Sequence, residues 1–211
     1  MNAPQGLLLD FGSVISVSLF ERHRETEQRL GLPAGSLTWL GPIAPDTDAL
    51  WCAMQRDEIS EREYWQLRAA ELGEGWSVLD LLTRLRPDDP EAVVRPEMRV
   101  LIREAREHGI RVGILSNELE LFYGTEYCAG MRILREMHVI VDATHTGVLK
   151  PDPRAYAAAV SGLKLTAADV LFVDDQLRNV AGAVRAGLQA QYFDLRDVAG
   201  NVAATRARLR L

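Results

Sequence analysis

A short apolar strand near the beginning of the chain is separated from every later strand by a long helical stretch. The apolar residues 7–9 lead into Asp10, and residues 19–90 then show helical periodicity broken by glycine and proline. After Pro96 the sequence alternates between strand and helix patterns, which is typical of a parallel sheet with right-handed crossovers. Because a buried strand needs neighbours, the first strand is expected to pair within that later sheet, with the helical stretch inserted at its carboxyl end.

This order predicts an α/β fold, with a Rossmann-like three-layer core around a mainly parallel sheet and an inserted all-helical cap. At 211 residues the chain exceeds an average single domain, which agrees with a core plus an insert. We assign residues 1–16 and 91–211 to the core and residues 17–90 to the cap. The later strands are predicted at residues 110–115, 138–142, 170–174 and 190–193.

Composition and charge argue against several classes of function. The formal net charge of −6 is spread along the chain, and without a basic cluster a nucleic-acid partner is not expected. The apolar runs are strand-sized, so we expect a soluble cytoplasmic protein that does not bind a membrane. Cys52 and Cys128 lack the spacing of a metal site or a CxxC motif and are interpreted as buried or partly buried thiols.

Chemically useful side chains follow the predicted strands. Each has an ordinary explanation when taken alone, as a helix cap, a solvated turn or a loop lysine. The carboxyl ends of parallel strands meet at one edge of a sheet, however, and catalytic groups of open α/β sheets lie there. A nucleophile, a cation and an acidic pair are therefore expected around one phosphate-sized site. The residues are Asp10, Ser116, Asn117, Lys150 and the pair Asp174 and Asp175.

Four segments, taken in order, resemble the signatures of the haloacid dehalogenase superfamily of hydrolases. They are residues 10–14 (DFGSV), 115–117 (LSN), 147–153 (GVLKPDP) and 172–183 (FVDDQLRNVAGA). Within that superfamily the chain is similar to the phosphatases with a helical cap after the first core strand, the C1 or subfamily IA type. Each segment alone is a weak signal, but the ordered set spans nearly the whole chain.

The resemblance implies a Mg²⁺-dependent phosphatase that works through an aspartyl-phosphate. Asp10 would be the nucleophile, while Ser116 and Lys150 would contact the transferring phosphoryl group. Asp10, Asp175 and the main-chain carbonyl of Gly12 would bind Mg²⁺, a hard ion that prefers oxygen ligands. A divalent cation is needed because an attacking carboxylate and a phosphate dianion repel each other.

The resemblance also implies supporting roles around the site. Asp174 would lie outside the direct metal ligands and hold a metal-bound water, and Asn179 would steady the fourth motif. Asn117 and Glu118 are expected beside the substrate. That substrate would be a small phosphorylated metabolite, for example a sugar phosphate. The oligomeric state is not predicted.

One position departs from the usual pattern of these phosphatases. Most carry a second aspartate two residues after the nucleophile, which acts as general acid and base, and here that position is Gly12. The leaving group could need little protonation, another residue could serve, or the chain could bind phosphate compounds without turnover. Glu118 is the nearest candidate acid in the sequence, with His23 and Glu21 behind it.

Two other functions therefore stay open. A binding module that kept the fold and lost turnover would explain Gly12. A 2-haloacid dehalogenase would explain it too, because halide leaves without a proton and the reaction needs no metal. The acidic pair disfavours the dehalogenase, since crowded carboxylates without a cation would repel an anionic substrate.

Overall fold

The computed structural model describes residues 3–211, and this part of the chain contains a five-stranded sheet. The strands are β1 (Gly6–Leu9), β2 (Arg111–Ser116), β3 (Val139–Asp142), β4 (Val170–Asp174) and β5 (Gln189–Tyr192). Their spatial order is β3-β2-β1-β4-β5, and every neighbouring pair is parallel. The first strand is thus the centre of the sheet, and the predicted parallel α/β core is confirmed.

Four helices lie between β1 and the rest of the core, and seven follow. The first group is α1 (His23–Leu30), α2 (Ala49–Gln55), α3 (Glu61–Leu72) and α4 (Val78–Leu85). The second group is α5 (Pro96–Glu107), α6 (Leu119–Tyr123), α7 (Thr125–Gly130), α8 (Ala143–Thr146), α9 (Pro153–Leu163), α10 (Leu177–Arg185) and α11 (Val198–Leu209). None of the described helices combines the length and apolar character that a bilayer span requires.

The sheet is covered on both faces, which makes three layers. Alternate residues of a strand point to opposite faces, so Leu7 and Leu9 join the hydrophobic cluster formed with α5 and α11. Leu8 joins a separate cluster that contains residues of α9 and α10. All three leucines are fully buried, and this double burial explains why the strand reads as a continuous apolar run.

The region between β1 and α5, apart from one isolated bridge, contains helices and turns, and we keep the predicted bounds 17–90 for this inserted segment. Its two connections to the core run side by side: the amide of Val17 donates to the carbonyl of Val93 at 2.8 Å, and the amide of Arg95 donates to that of Ile15 at 2.8 Å. The two ends of the inserted segment therefore leave the core side by side.

Aromatic side chains hold the helices of the inserted segment together. Phe20 contacts Trp51 and Trp65 with ring centroids 5.5 and 5.3 Å apart, and Trp65 contacts Tyr64 at 5.1 Å. Helix α3 begins at the predicted capping box, because the amide of Glu63 donates to Ser60 Oγ at 3.1 Å and the amide of Ser60 donates to Glu63 Oε2 at 2.7 Å. This capping box fixes where α3 begins, and its first residues contact the core, as described below.

Candidate active site

Asp10 directly follows the central strand β1. It lies at the carboxyl edge of the sheet, where the other predicted site residues were expected. Its amide donates to the carbonyl of Val173 at 3.0 Å, which extends the β1–β4 pairing by one residue. The chain then makes a wide turn over Phe11–Ile15, anchored by the buried ring of Phe11. Ser13 has a φ of 63°, a left-handed conformation, and its carbonyl accepts from the Arg95 guanidinium at 2.8 and 3.1 Å. This turn leaves the Asp10 side chain at the end of the sheet, only 7% exposed.

Lys150 joins two of the predicted carboxylates. Its Nζ donates to Asp10 Oδ1 at 2.6 Å and to Asp174 Oδ2 at 2.7 Å, and the side chain is almost fully buried. Burial opposes its charge, but the two carboxylates hold the pKa of Lys150 above its usual value. The lysine is therefore a fixed cation beside the expected nucleophile.

Asn117 positions the loop that carries this lysine. The Lys150 amide donates to Asn117 Oδ1 at 2.7 Å, and Asn117 Nδ2 lies 3.4 Å from the Lys150 carbonyl. The same Nδ2 donates to Glu61 Oε2, at 3.2 Å, in the inserted segment. Asn117 also borders the cavity described below, so its expected place beside the substrate stays a prediction.

The two carboxylates at the end of β4 differ in their hydrogen bonds. Asp174 is fully buried and accepts from Lys150, from the amide of Gln176 at 2.7 Å and from Asn179 Nδ2 at 3.1 and 3.2 Å. Asp175 accepts no hydrogen bond from any residue in the described range 3–211, and it borders the same cavity as Asp10. Burial, then the charges of Asp174 and Asp10, raise the pKa of Asp175 well above its usual value.

The grouping of carboxylates fits a divalent cation. Asp10, Asp174 and Asp175 each offer an oxygen within 4.8 Å of the others, and three buried carboxylates face one ammonium. Burial raises the pKa of Asp10 to about 7. Lys150 lowers this pKa, and the charges of Asp174 and Glu61 raise it. An all-oxygen donor set with excess negative charge suits Mg²⁺. Asp10 and Asp175 are the side chains that would hold it, together with the Gly12 carbonyl that the resemblance implies.

A cavity of about 100 Å³ opens in front of these carboxylates. Ser116, at the end of β2, borders it together with Asp10 and Asp175. The inserted segment contributes mainly apolar side chains to the border of the cavity, together with charged ones that include two arginines and a glutamate. Among those residues are Phe20, Arg22, Glu25, Trp51, Trp65, Leu82, Leu85 and Arg86.

Two residues of α3 reach the loop that follows β2. Arg62 Nη2 donates to both oxygens of the buried Glu118, at 3.1 and 3.0 Å. Burial raises the pKa of Glu118, although Arg62 opposes the shift. Glu61 borders the cavity beside Asn117. Glu61 was not predicted as a site residue, because an acidic residue in the first turn of a helix is the ordinary partner of the helix dipole.

The chain is similar to known hydrolases. A model of the haloacid dehalogenase-like hydrolase family matches residues 22–187. Phosphatase MT3486 of Mycobacterium tuberculosis is 31% identical over 198 residues, which cover 89% of this chain and 86% of that protein.

Solved structures share the fold. The putative HAD-hydrolase YfnB from Bacillus subtilis, described as bound to magnesium, aligns over 100% of both chains with a TM-score of 0.73 and 14% identity. The L-2-haloacid dehalogenase RSc1362 aligns over 92% of this chain and 87% of its own with a TM-score of 0.56 and 18% identity. At these identities the structural likeness shows the fold alone. With the family match and the mycobacterial relative, the chain belongs to the haloacid dehalogenase-like hydrolases and is a hydrolase enzyme.

Proposed function

We propose that this protein is a Mg²⁺-dependent phosphatase that hydrolyses a small phosphorylated metabolite through an aspartyl-phosphate on Asp10. The observation that carries the proposal is the buried Lys150, bonded to Asp10 and Asp174 beside an Asp175 that has no hydrogen-bond donor among residues 3–211. The relative named as a phosphatase supports the same reaction class.

Each residue of the site has a separate role in the proposed reaction. Lys150 holds Asp10 Oδ1, and Asp10 Oδ2, which accepts no hydrogen bond within the described chain, is the oxygen that attacks phosphorus. Ser116 donates its hydroxyl to a phosphoryl oxygen, and the bond from phosphorus to the leaving oxygen breaks. Water then attacks the phosphorus, which releases phosphate and restores Asp10. Mg²⁺, when bound, supplies charge neutralisation between the nucleophile and the phosphoryl group.

The charge at the site favours a phosphatase over a haloacid dehalogenase. Three clustered carboxylates would repel an anionic haloacid unless a cation were present. Release of phosphate from a panel of sugar, nucleotide and acyl phosphates, with Asp10→Asn as control, tests the proposal. No release above the control would favour a binding module, and chelator-insensitive chloride release from 2-haloacids would favour a dehalogenase.

The part of the cavity border that the inserted segment contributes is relevant to the choice of substrate. Aromatic and aliphatic side chains outnumber polar ones there, which suits a leaving group with an apolar face better than a polyhydroxylated sugar. We expect kcat/KM for phenyl phosphate to exceed that for glucose 6-phosphate by about ten- to a hundredfold. Trp65→Leu should reduce this preference, and Trp76→Leu, in a tryptophan away from the cavity, should not. An equal or higher kcat/KM for the sugar phosphate would contradict the assignment.

Mg²⁺ binding should tighten as the pH rises. Because burial raises the pKa of Asp10 to about 7 and that of Asp175 well above normal, the metal-free carboxyls hold protons that the ion must displace. Below about pH 7, the apparent affinity should increase by about tenfold per pH unit for each proton displaced. Calorimetric titration of the metal-free protein in buffers of different ionisation enthalpy measures both quantities. An affinity that is independent of pH would contradict this expectation.

A further inference from the structure

The missing carboxyl at position 12 leaves the proposed reaction without a proton donor for the leaving oxygen. We propose that Glu61, carried by the inserted segment, is the general acid and base of this phosphatase. The inference rests on the proposed function and adds a catalytic residue from outside the α/β core.

The other candidate acids are occupied. Of the carboxylates bordering the cavity besides Asp10 and Asp175, Glu118 has both oxygens bonded to Arg62. Glu25 forms ion pairs through both oxygens, with Arg29 at 3.1 Å and with Arg22 at 4.0 Å.

Glu21 and His23, the two other candidates, are also unsuitable. Glu21 forms an ion pair with Arg95 and accepts from the amide of Ser18 at 2.9 Å. His23 packs against the ring of Trp39 at 4.9 Å and does not border the cavity.

Apart from Asp10 and Asp175, Glu61 is the carboxylate bordering the cavity, among residues 3–211, that has no arginine partner. Its Oε2 accepts from Asn117 at 3.2 Å, and its Oε1 has no hydrogen-bond donor among the residues that the structure describes. Asn117 also fixes the backbone of Lys150 and directly follows Ser116. Glu61 is therefore tied to the same short segment that places both phosphate-contacting side chains.

A second contact holds the first turn of α3 in this position. Consecutive residues of α3 meet consecutive residues after β2: Glu61 bonds Asn117, and Arg62 bonds Glu118. Arg62 thus acts as a positioning residue, with its partner Glu118 buried beneath it. The acid reaches the site only while the inserted segment is docked on the core, which couples proton transfer to closure over the substrate.

The proton moves in both halves of the reaction. As the Asp10 oxygen bonds to phosphorus and the leaving oxygen departs, the carboxyl of Glu61 gives its proton to that oxygen. In the second half Glu61, now a carboxylate, takes a proton from water while the water oxygen bonds to phosphorus. The bond between phosphorus and Asp10 breaks, and phosphate leaves with Glu61 protonated again.

The test compares esters with poor and good leaving groups in the presence of Mg²⁺. Glu61→Gln keeps an oxygen for Asn117 but cannot donate a proton, so kcat on phenyl phosphate should fall by about 10²- to 10³-fold. The leaving group of 2,4-dinitrophenyl phosphate needs no proton. With this ester the rate of phosphoryl transfer to Asp10 should be nearly unchanged, and hydrolysis of the aspartyl-phosphate should be slower. The variant should then release a burst of one equivalent of dinitrophenolate. Glu74→Gln, in an exposed glutamate just past α3, is the matched control and should behave as wild type.

Position 12 offers a rescue. Gly12 has φ −62° and ψ 133°, which any residue can adopt, and an added Cβ would lie 3.8 Å from its nearest neighbour, Asp10 Oδ2. Gly12→Asp in the Glu61→Gln background should therefore recover at least about tenfold of the lost rate on phenyl phosphate.

Different outcomes reject different claims. If the wild type hydrolyses phosphate esters and Glu61→Gln loses nothing, or its phosphoryl transfer to Asp10 slows by the same factor with both esters, Glu61 is not the acid and the proposed function stands. If Glu118→Gln, and not Glu61→Gln, shows the leaving-group dependence, the acid is Glu118. If the wild type hydrolyses no phosphate ester, the proposed function fails and this inference fails with it.

Discussion

Asp10→Asn should abolish phosphate release while the protein stays folded. An amide oxygen is a poor nucleophile, so kcat should fall by at least about 10³-fold on any phosphate ester. Asp174 still accepts from Lys150 in the variant, and one buried carboxylate, whose ionisation burial already opposes, is removed. The thermal midpoint of the metal-free protein is therefore expected to be unchanged or higher. Steady-state kinetics and a thermal melt of the same preparation provide the two measurements.

The same variant should lose the response to phosphoryl mimics. Beryllium fluoride with Mg²⁺ forms a mimic of an aspartyl-phosphate, so it should raise the thermal midpoint of the wild type and not that of Asp10→Asn. Asp46→Asn, in an exposed aspartate of the inserted segment, is the control and should respond as wild type does. Turnover by Asp10→Asn at the wild-type rate would exclude Asp10 as the nucleophile.

Lys150→Met should be costly for both stability and activity. The substitution leaves the buried Asp10 and Asp174 facing each other without a cation, and breaking a buried ion pair typically destabilises a protein by about 3–5 kcal/mol. Catalysis should fall by about 10²-fold or more, because the fixed positive charge beside the nucleophile is gone. The chain has two lysines, and Lys164→Met, at the end of α9, is the matched control.

The destabilisation should depend on pH in a defined direction. Without Lys150, the pKa of Asp10 in the folded protein should rise further above its unfolded value, and a group with a raised folded pKa loses stabilising effect as pH rises. Denaturant melts of the metal-free variant should therefore show a larger deficit at about pH 8 than at about pH 5.5. A deficit that is constant, or that grows as pH falls, would show that the lysine does not neutralise these carboxylates.

The sequence predicted the core because local patterns determine it. An apolar run that ends in an aspartate is a local signal, and the double burial of residues 7–9 in the central strand follows from it. The placement of Lys150 between Asp10 and Asp174 agrees with their assignment to one edge of the sheet. That assignment needed only parallel strands in one sheet, not the directions of side chains.

The rest depended on long-range contacts. Nothing near Glu61 in the sequence shows that α3 docks on the loop after β2, since Asn117 is 56 residues away. Gly124, with a φ of 81°, ends α6 and separates it from α7, a boundary that was not predicted from the sequence. The contacts of Asn117 with Lys150 and Glu61 depend on side-chain direction, which strand placement does not fix, and its expected place beside the substrate stays a prediction.

Chemical trapping of the covalent intermediate tests the central claim most directly. Turnover of 2,4-dinitrophenyl phosphate with Mg²⁺ is quenched with borohydride, which reduces an acyl phosphate to an alcohol, and the peptides are sequenced by mass spectrometry. We expect homoserine at position 10, only when both the ester and Mg²⁺ are present, with more of it in Glu61→Gln than in the wild type. Homoserine at another aspartate, or continued turnover with position 10 never modified, would contradict the mechanism.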